Sequence, residues 1–253
     1  MTATMTPEQA SRRDALVTAM AAEIANGDLV GVGLGTPLAV AAALLARASH
    51  APDSHVLVGG AVDPDVDLSG CLAGSSMIAG RTAGYVPHLD TMDMAERQSM
   101  TLQFIRPAQV DTRGRTNVSA LHRDDGTALR LPGGLALADV PALLPRLVVF
   151  FPDHRARNLV AEVDRATGGT SWQHGPRRTR GVVSIISGYG IIRIEPDGPR
   201  LAACFPGVSA AMIAGETGFP LRGLEDAAEY RVSDEHQAAL ARIDPDGERY
   251  RVA

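Results

Sequence analysis

The chain has 253 residues, is 45% hydrophobic and 21% charged, and carries a formal net charge of −5. That length suits one large α/β domain or two small ones, and the mild acidity argues against a nucleic-acid binder, whose surface is usually basic. Cys71 and Cys204 are too few for a disulfide framework, no Cys/His cluster has metal-ligand spacing, and no apolar run reaches the roughly 18 residues of a membrane span.

The opening residues, MTATMTPEQASRRD, lack the apolar core of a signal peptide, so a cytoplasmic protein is expected. Thr6, Pro7 and Gln9 spell an N-cap, a first-turn proline and the far member of a capping box. Leu16, Val17, Met20 and Ile24 recur on one face behind them, and Asn26-Gly27 closes the helix. Residues 29–34 read as a buried strand. Residues 37–48 form a helix with no polar face, hence buried nearly all round. The run HVLVGGA, residues 55–61, is a second strand ending in a glycine pair. Strand, helix and strand in such close succession make a βαβ unit, whose strands pair in parallel through a right-handed crossover.

Residues 63–90 are glycine-rich and irregular, which marks a functional or mobile loop. Beyond it the pattern predicts a short helix at 92–97, strands at 101–105 and 116–121 about a turn at Gly114, and strands at 147–151 and 159–163. A polar connection covers 171–181. VVSIISGYGIIRIEP then holds two strands joined at Gly188–Gly190. Residues 208–215 are expected to be helical, and Ser233 caps a last helix to Ile243. No repeat, low-complexity tract or linker interrupts the chain. Residues 1–253 are therefore expected to form one α/β domain, an open mixed sheet flanked by helices.

The glycines of GVGLGTP, Gly31, Gly33 and Gly35, lead into a helix at Pro37, and helix N-termini suit oxyanions. The third glycine of the dinucleotide fingerprint, the P-loop Lys-Ser/Thr and an acidic residue after the second strand are all absent. Tight strand–helix packing, or a ligand other than a nucleotide at the strand's carboxyl end, remain. Asp63, Asp65 and Asp67 alternate, but the glycine and closing glutamate of a calcium loop are missing, so a solvated loop is expected and no metal. Gln109, Asp111, Gly114 and Asn117 read as a turn whose backbone Asp and Asn hold. Gly133-Gly134 offers N–H groups to an oxyanion or serves a turn, and Asp139 can cap the next helix. The histidines are scattered, no G-x-S-x-G elbow is present, and neither cysteine has a visible activating partner. QHGPRRTR is a solvated turn or an arginine clamp for distal phosphates.

In this order GDLVGVGLGTP, the strand with its glycine pair, AQVDTRGRTNVSA, RLPGG, FPDHRARNLVAEVD and FPGVSAAMIAGETGFPL resemble one family along nearly the whole chain. It is the β subunit of class I CoA-transferases of the glutaconate CoA-transferase type. The resemblance implies a Rossmann-like subunit that pairs with a homologous α subunit as a heterodimer or heterotetramer. It implies a site at that interface, where a β-subunit glutamate attacks an acyl-CoA and forms a glutamyl-CoA thioester. Coenzyme A enters as the substrate thioester. No permanently bound cofactor, nucleic acid or membrane is expected.

This sequence departs from the pattern at the site. The glutamate position is Val58, which can form neither an anhydride nor a thioester. The loop after RLPG usually continues Ser-Gly-Gly and here reads Gly134-Leu135-Ala136. Gly114-Arg115 stands for the family's Gly-Asn. The expectation is a β subunit of a heteromeric CoA-transferase-like enzyme acting on an acyl-CoA or related acyl thioester, not through glutamyl-CoA. Gly33, Gly35 and Thr36 would shape the cleft and Gly59 and Gly60 would line it. Gln109, Asp111 and Arg130 would orient substrate or hold site loops, with Gly133 and Gly134 beside them. The catalytic carboxylate would come from the partner, with Asp63, His88 or another residue of the 63–90 loop as candidates within this chain. Three alternatives stand beside this one. They are a hydrolase subunit like the two-subunit enzymes that open the last steroid ring, a non-catalytic scaffold subunit, and a sugar-phosphate isomerase, for which no acid/base pair with lysine support is present.

Overall fold

A computed structural model describes residues 5–33, 36–64, 82–134, 136–169 and 181–251. The first helix begins as its residues dictate. Thr6 Oγ1 accepts from the Gln9 backbone at 3.2 Å and Gln9 Oε1 accepts from the Thr6 backbone at 2.8 Å, closing the capping box. Helix α1 (Pro7–Ala21) ends earlier than the Asn26-Gly27 signal, because residues 22–25 continue only as turns before Gly27 at φ 83°.

Strand β1 (Leu29–Val32), helix α2 (Pro37–Ala48) and strand β2 (His55–Val58) form the expected parallel unit, with Leu29 opposite His55 and Val32 opposite Val58. The second strand does not run to Ala61. Gly59 (φ 56°) and Gly60 (φ 93°) both take left-handed backbone, the signature of a two-residue hairpin, and the chain doubles back as β3 (Ala61–Val62). Strand β4 (Gly84–Tyr85) pairs antiparallel with β3, and helix α3 (His88–Glu96) begins four residues before the apolar pattern indicated, behind Pro87.

Strand β5 (Leu102–Ile105) follows. The hairpins β6 (Gln109–Val110) with β7 (Thr116–Asn117), and β8 (Ala120–His122) with β9 (Ala128–Arg130), form two separate ribbons. The single strand expected over 116–121 breaks between them, because Asn117 Oδ1 accepts from the Ser119 and Ala120 backbones at 3.0 and 3.3 Å. Helix α4 (Val140–Leu143) starts after Asp139, although the Asp139 side chain makes no cap bond. Strand β10 (Arg146–Phe151) follows it. Residues 159–163 are not a strand. Leu159 and Val160 make single bridges to Val110 and Gly218, wedged between elements rather than laid beside one.

The last third supplies β11 (Val182–Ser187), β12 (Gly190–Glu195), β13 (Gly198–Cys204), helix α5 (Ala210–Gly215), β14 (Ala228–Glu229) and helix α6 (Asp234–Ile243). Ser233 caps α6 by accepting from His236 N at 3.2 Å. Residues 65–81 and 170–180, and with them Asp65, Asp67, Cys71 and QHGPRRTR, lie outside the described residues.

Among the described residues ten strands join one sheet in the order β14-β13-β12-β11-β10-β5-β1-β2-β3-β4. The stretch from β11 to β2 is parallel, β12 and β13 extend it antiparallel on one side with β14 parallel to β13 at the edge, and β3 and β4 extend it antiparallel on the other. Alternate residues of one strand feed the two faces. Val148 and Phe150 of β10 join a core with α1, α2 and α6, while Leu147, Val149 and Phe151 join a second core with α3, α4 and α5. Strands whose two faces are both covered carry near-continuous apolar runs, which is why RLVVFF and HVLV were legible as strands. Among the described residues no helix is long and apolar enough to cross a membrane, and no cluster of His, Cys, Asp and Glu could hold a metal ion.

Candidate active-site edge

In open parallel sheets ligands gather outside the carboxyl ends of the strands, where strand order reverses. Here the chain moves from β1 outward to β2 and later returns to the other side of β1 as β5, so the reversal lies between β1 and β5. Gly33, Thr36 and the first turn of α2 stand at the end of β1, with Thr36 Oγ1 donating to Gly33 O. Val58, Gly59 and Gly60 stand at the adjoining end of β2, Val58 opposite Val32. Gly35 lies outside the described residues.

Val58 is 2% exposed and belongs to the apolar core on the α1/α2 side of the sheet. Gly60 is required by geometry as well as by φ, because a Cβ there would sit 2.7 Å from the Val86 carbonyl oxygen. Val86 N donates to Gly60 O at 2.7 Å, which brings the start of α3, and with it His88, to the same edge as Val58.

Asp63 is not on that edge. The hairpin carries it back to the start of β2, where its carboxylate accepts from Val56 N at 2.9 Å and Arg47 Nη1 at 3.0 Å and meets His55 Nδ1 at 2.6 Å. Gln109 and Asp111 hold loops. Asp111 is fully buried and accepts from the backbones of Arg113 and Arg115 at 2.9 and 3.0 Å and from Arg115 Nε at 2.7 Å. Gln109 Oε1 accepts from Asn117 Nδ2 at 2.9 Å and Asp164 N at 3.0 Å. Arg130 is exposed on the β8–β9 ribbon. The Gly133 N–H donates to Val118 O at 2.9 Å, and a Cβ on Gly134 would meet Thr167 Cγ2 at 2.5 Å, so the pair also serves the turn and its packing.

The same edge holds a cleft of about 470 Å³ at the ends of β10 and β11, roofed by the amino-terminal half of α1. Arg12 and Arg13 reach it from α1, Asp153, His154 and Arg155 from the loop after β10, and Tyr189 from the β11–β12 turn. Arg12 lies over the Tyr189 ring, 5.6 Å from its centroid, and the Tyr189 ring stacks on that of His154 at 5.0 Å.

Hydrogen bonds determine the His154 tautomer. Thr217 Oγ1 gives its proton to Ile213 O at 2.7 Å, so it accepts from His154 Nε2–H at 3.0 Å. Nδ1 is then bare and accepts from the Ser187 hydroxyl at 2.7 Å. Burial pushes the His154 pKa down to about 4, which keeps the ring neutral. Burial also lowers the pKa of Arg13 and of Arg106 at the end of β5. The Asp153 carboxylate opposes both shifts, and the Arg106 charge adds to the lowering at Arg13.

None of these cleft residues was singled out from the sequence as a site residue. A polar triplet, Asp153-His154-Arg155, placed directly after the apolar run of β10 was the available signal. Arg12 and Arg13 gave none, since charged residues on an amphipathic helix ordinarily face solvent.

No family model matches the chain. It is 24% identical over 253 residues to the β chain of the glutaconate CoA-transferase of Acidaminococcus fermentans, a match covering 89% of this chain and 90% of that one. Among solved structures it is similar to the decarboxylase AibA/AibB, at 33% identity and TM-score 0.83 over 96% of this chain and 98% of that one. The fold is also shared with IpdAB of Rhodococcus jostii RHA1, at 21% identity and TM-score 0.80 over 96% and 98% of the two chains.

Proposed function

The chain belongs to the class I CoA-transferase family as a β-subunit-like member, and from that premise we propose that it works in a heteromer with a homologous α subunit. Together the two act on an acyl-CoA or related acyl thioester, and this chain forms no glutamyl-CoA. Its edge at β1 and β2 makes one wall of the site, and the carboxylate that the chemistry needs comes from the partner. The observation that carries this reading is Val58, apolar and 2% exposed at the carboxyl end of β2, the position at which the resemblance puts the nucleophile.

Decarboxylation of a carboxyl-bearing acyl thioester is the reaction this edge suits best, and the likeness to the decarboxylase AibA/AibB supports it. That chemistry needs no protein nucleophile. Where the carboxylate is β to the thioester carbonyl, or conjugated to it through a double bond, the electron pair of the breaking carbon–carbon bond passes into that carbonyl as an enolate, carbon dioxide leaves, and a general acid returns a proton to carbon. With valine in place of a carboxylate, this chain sets no negative charge of its own at the end of β2 against the substrate's carboxylate. His88, at the start of α3 on the same edge, is this chain's candidate for that acid.

The test is expression alone and with the neighbouring α subunit, followed by incubation with carboxyl-bearing acyl-CoA thioesters. Turnover is expected only from the heteromer, with carbon dioxide released, the thioester intact and no coenzyme A adduct on this chain by intact-mass spectrometry. Full activity from the lone chain, or an adduct on it, overturns the reading. Free coenzyme A without carbon dioxide would point to hydrolysis instead.

A further inference from the structure

We propose that the arginine-lined cleft at the ends of β10 and β11 receives the phosphate-bearing end of the acyl thioester, holding it while the thioester itself lies at β1 and β2. This rests on the reading just given. Among the described residues four guanidinium groups converge there, Arg12, Arg13 and Arg155 in the cleft and Arg106 at its side, against three carboxylates: Asp153, which pairs with Arg155 at 2.6 Å, Glu216 and, at the exposed rim, Glu8, which lies 3.6 Å from Arg12. This excess of positive charge occurs in a chain whose net charge is −5. Planar guanidinium groups bind phosphate oxygens in pairs, and low hydration strengthens the attraction. Arg13 is 4% exposed and its Nη1 donates to Arg249 O at 3.0 Å, so it supplies a fixed charge from the cleft wall. Arg12 is held over Tyr189, whose ring stacks on that of His154, so its guanidinium is presented in one orientation.

Size and position fit the same ligand. A cleft of about 470 Å³ is too large for a lone carboxylate and is in the range of nucleotide-sized ligands. Strands lie roughly 4.8 Å apart, so the three steps from β2 through β1 and β5 to β10 span about 14 Å along one edge. That span is of the order of an extended pantetheine arm. One molecule can therefore reach from the cleft to Val58.

The experiment uses the purified heteromer and measures binding of coenzyme A, of pantetheine, which lacks the phosphates, and of inorganic pyrophosphate by titration calorimetry. The variants are Arg12→Gln, Arg155→Gln, Arg12→Lys and, as an exposed control just beyond the end of α3, Arg97→Gln. Wild type is expected to prefer coenzyme A to pantetheine, with pyrophosphate competing. Arg12→Gln and Arg155→Gln should each weaken coenzyme A by about tenfold while pantetheine binding, thermal midpoint and heteromer assembly stay unchanged. Arg12→Lys should fall between, because it keeps charge but loses the planar fork.

Unchanged coenzyme A binding in both glutamine variants, or equal losses for coenzyme A and pantetheine, overturns the cleft assignment and leaves the acyl-thioester reading intact. If the heteromer turns over no acyl thioester, that reading falls. Pyrophosphate binding that Arg12→Gln abolishes would then still support the phosphate site, and its absence would end both.

Discussion

His154 Nδ1 lies 2.7 Å from the Ser187 hydroxyl, and this bond joins the carboxyl ends of two neighbouring parallel strands, β10 and β11. With Thr217 Oγ1 on Nε2, both nitrogens of the neutral ring are satisfied by hydroxyls, and burial disfavours a second proton.

This gives a pH dependence. The folded pKa is depressed to about 4 from an ordinary value of 6.5. Above pH 6.5 both folded and unfolded chains hold a neutral ring, and the full stability is present. Between 6.5 and 4 the unfolded chain binds the extra proton, so stability declines as pH falls, by up to about 3 kcal/mol from this group. Urea midpoints at pH 7.5, 5.5 and 4.5 should trace that decline. His154→Gln should start from a lower plateau and flatten the slope. An unaltered slope in the variant would assign the pH dependence to other groups.

Asp28 and Arg146 fasten the opposite edge. Arg146 Nη2 donates to Asp28 Oδ1 and Oδ2 at 2.7 and 2.6 Å, and Asp28 also accepts from Ala25 N at 2.7 Å and Thr101 Oγ1 at 2.6 Å. Removing the carboxylate leaves a partly buried guanidinium and two donors without their acceptor. Asp28→Ala is expected to cost about 3 kcal/mol in chemical denaturation. Because this pair sits at the amino ends of the strands, heteromer turnover below the melting range should be little affected.

The glycine hairpin tests close packing against backbone strain. Gly60 and Gly126 both have positive φ, 93° and 80°, but only at Gly60 would a Cβ meet backbone, the Val86 carbonyl at 2.7 Å. Gly126→Ala is expected to cost about 1 kcal/mol. Gly60→Ala should cost about 2 kcal/mol or more and also reduce turnover, since it displaces the link between β2 and α3. Equal thermal shifts for the two variants would show that φ alone sets the cost.

Val58→Glu asks whether this chain tolerates a carboxylate at that position. The site is 2% exposed among apolar side chains, so the new carboxyl should titrate well above the ordinary range. The folded chain then holds its proton longer than the unfolded one, and stability is lost as pH rises through the gap. At pH 7 the substitution should cost about 2–4 kcal/mol, with partial recovery near pH 4. Val58→Gln, similar in size and uncharged, should show no such recovery, and thermal midpoints across pH separate the two.

Much of the architecture was legible in the residues. The capping box at Thr6, the Ser233 cap and the runs LVGV, HVLV and RLVVFF each name an element through local chemistry or through burial on both faces. Elements held by distant partners were not legible. Strand β13 reads GPRLAAC, with no alternation and low intrinsic β preference, and it forms because β12 templates it from Gly190 to Glu195. Residues 159–163 look like a strand by composition, yet their partners on either side are single residues.

The sequence by itself determined the parallel β1–α2–β2 unit and the absence of a carboxylate at Val58, but not the reversal at Gly59-Gly60. These follow from residue type and spacing, which act over a few positions. Tertiary structure alone decided which polar groups share an edge. It sent Asp63 to the far end of β2, tied Asp111 into its own hairpin, and gathered Arg12, His154, Arg155 and Tyr189 into one cleft. Strand direction sets which end of the sheet a side chain reaches, and strand order sets its neighbours there. Both are properties of the assembled sheet, so neither could be read from one segment.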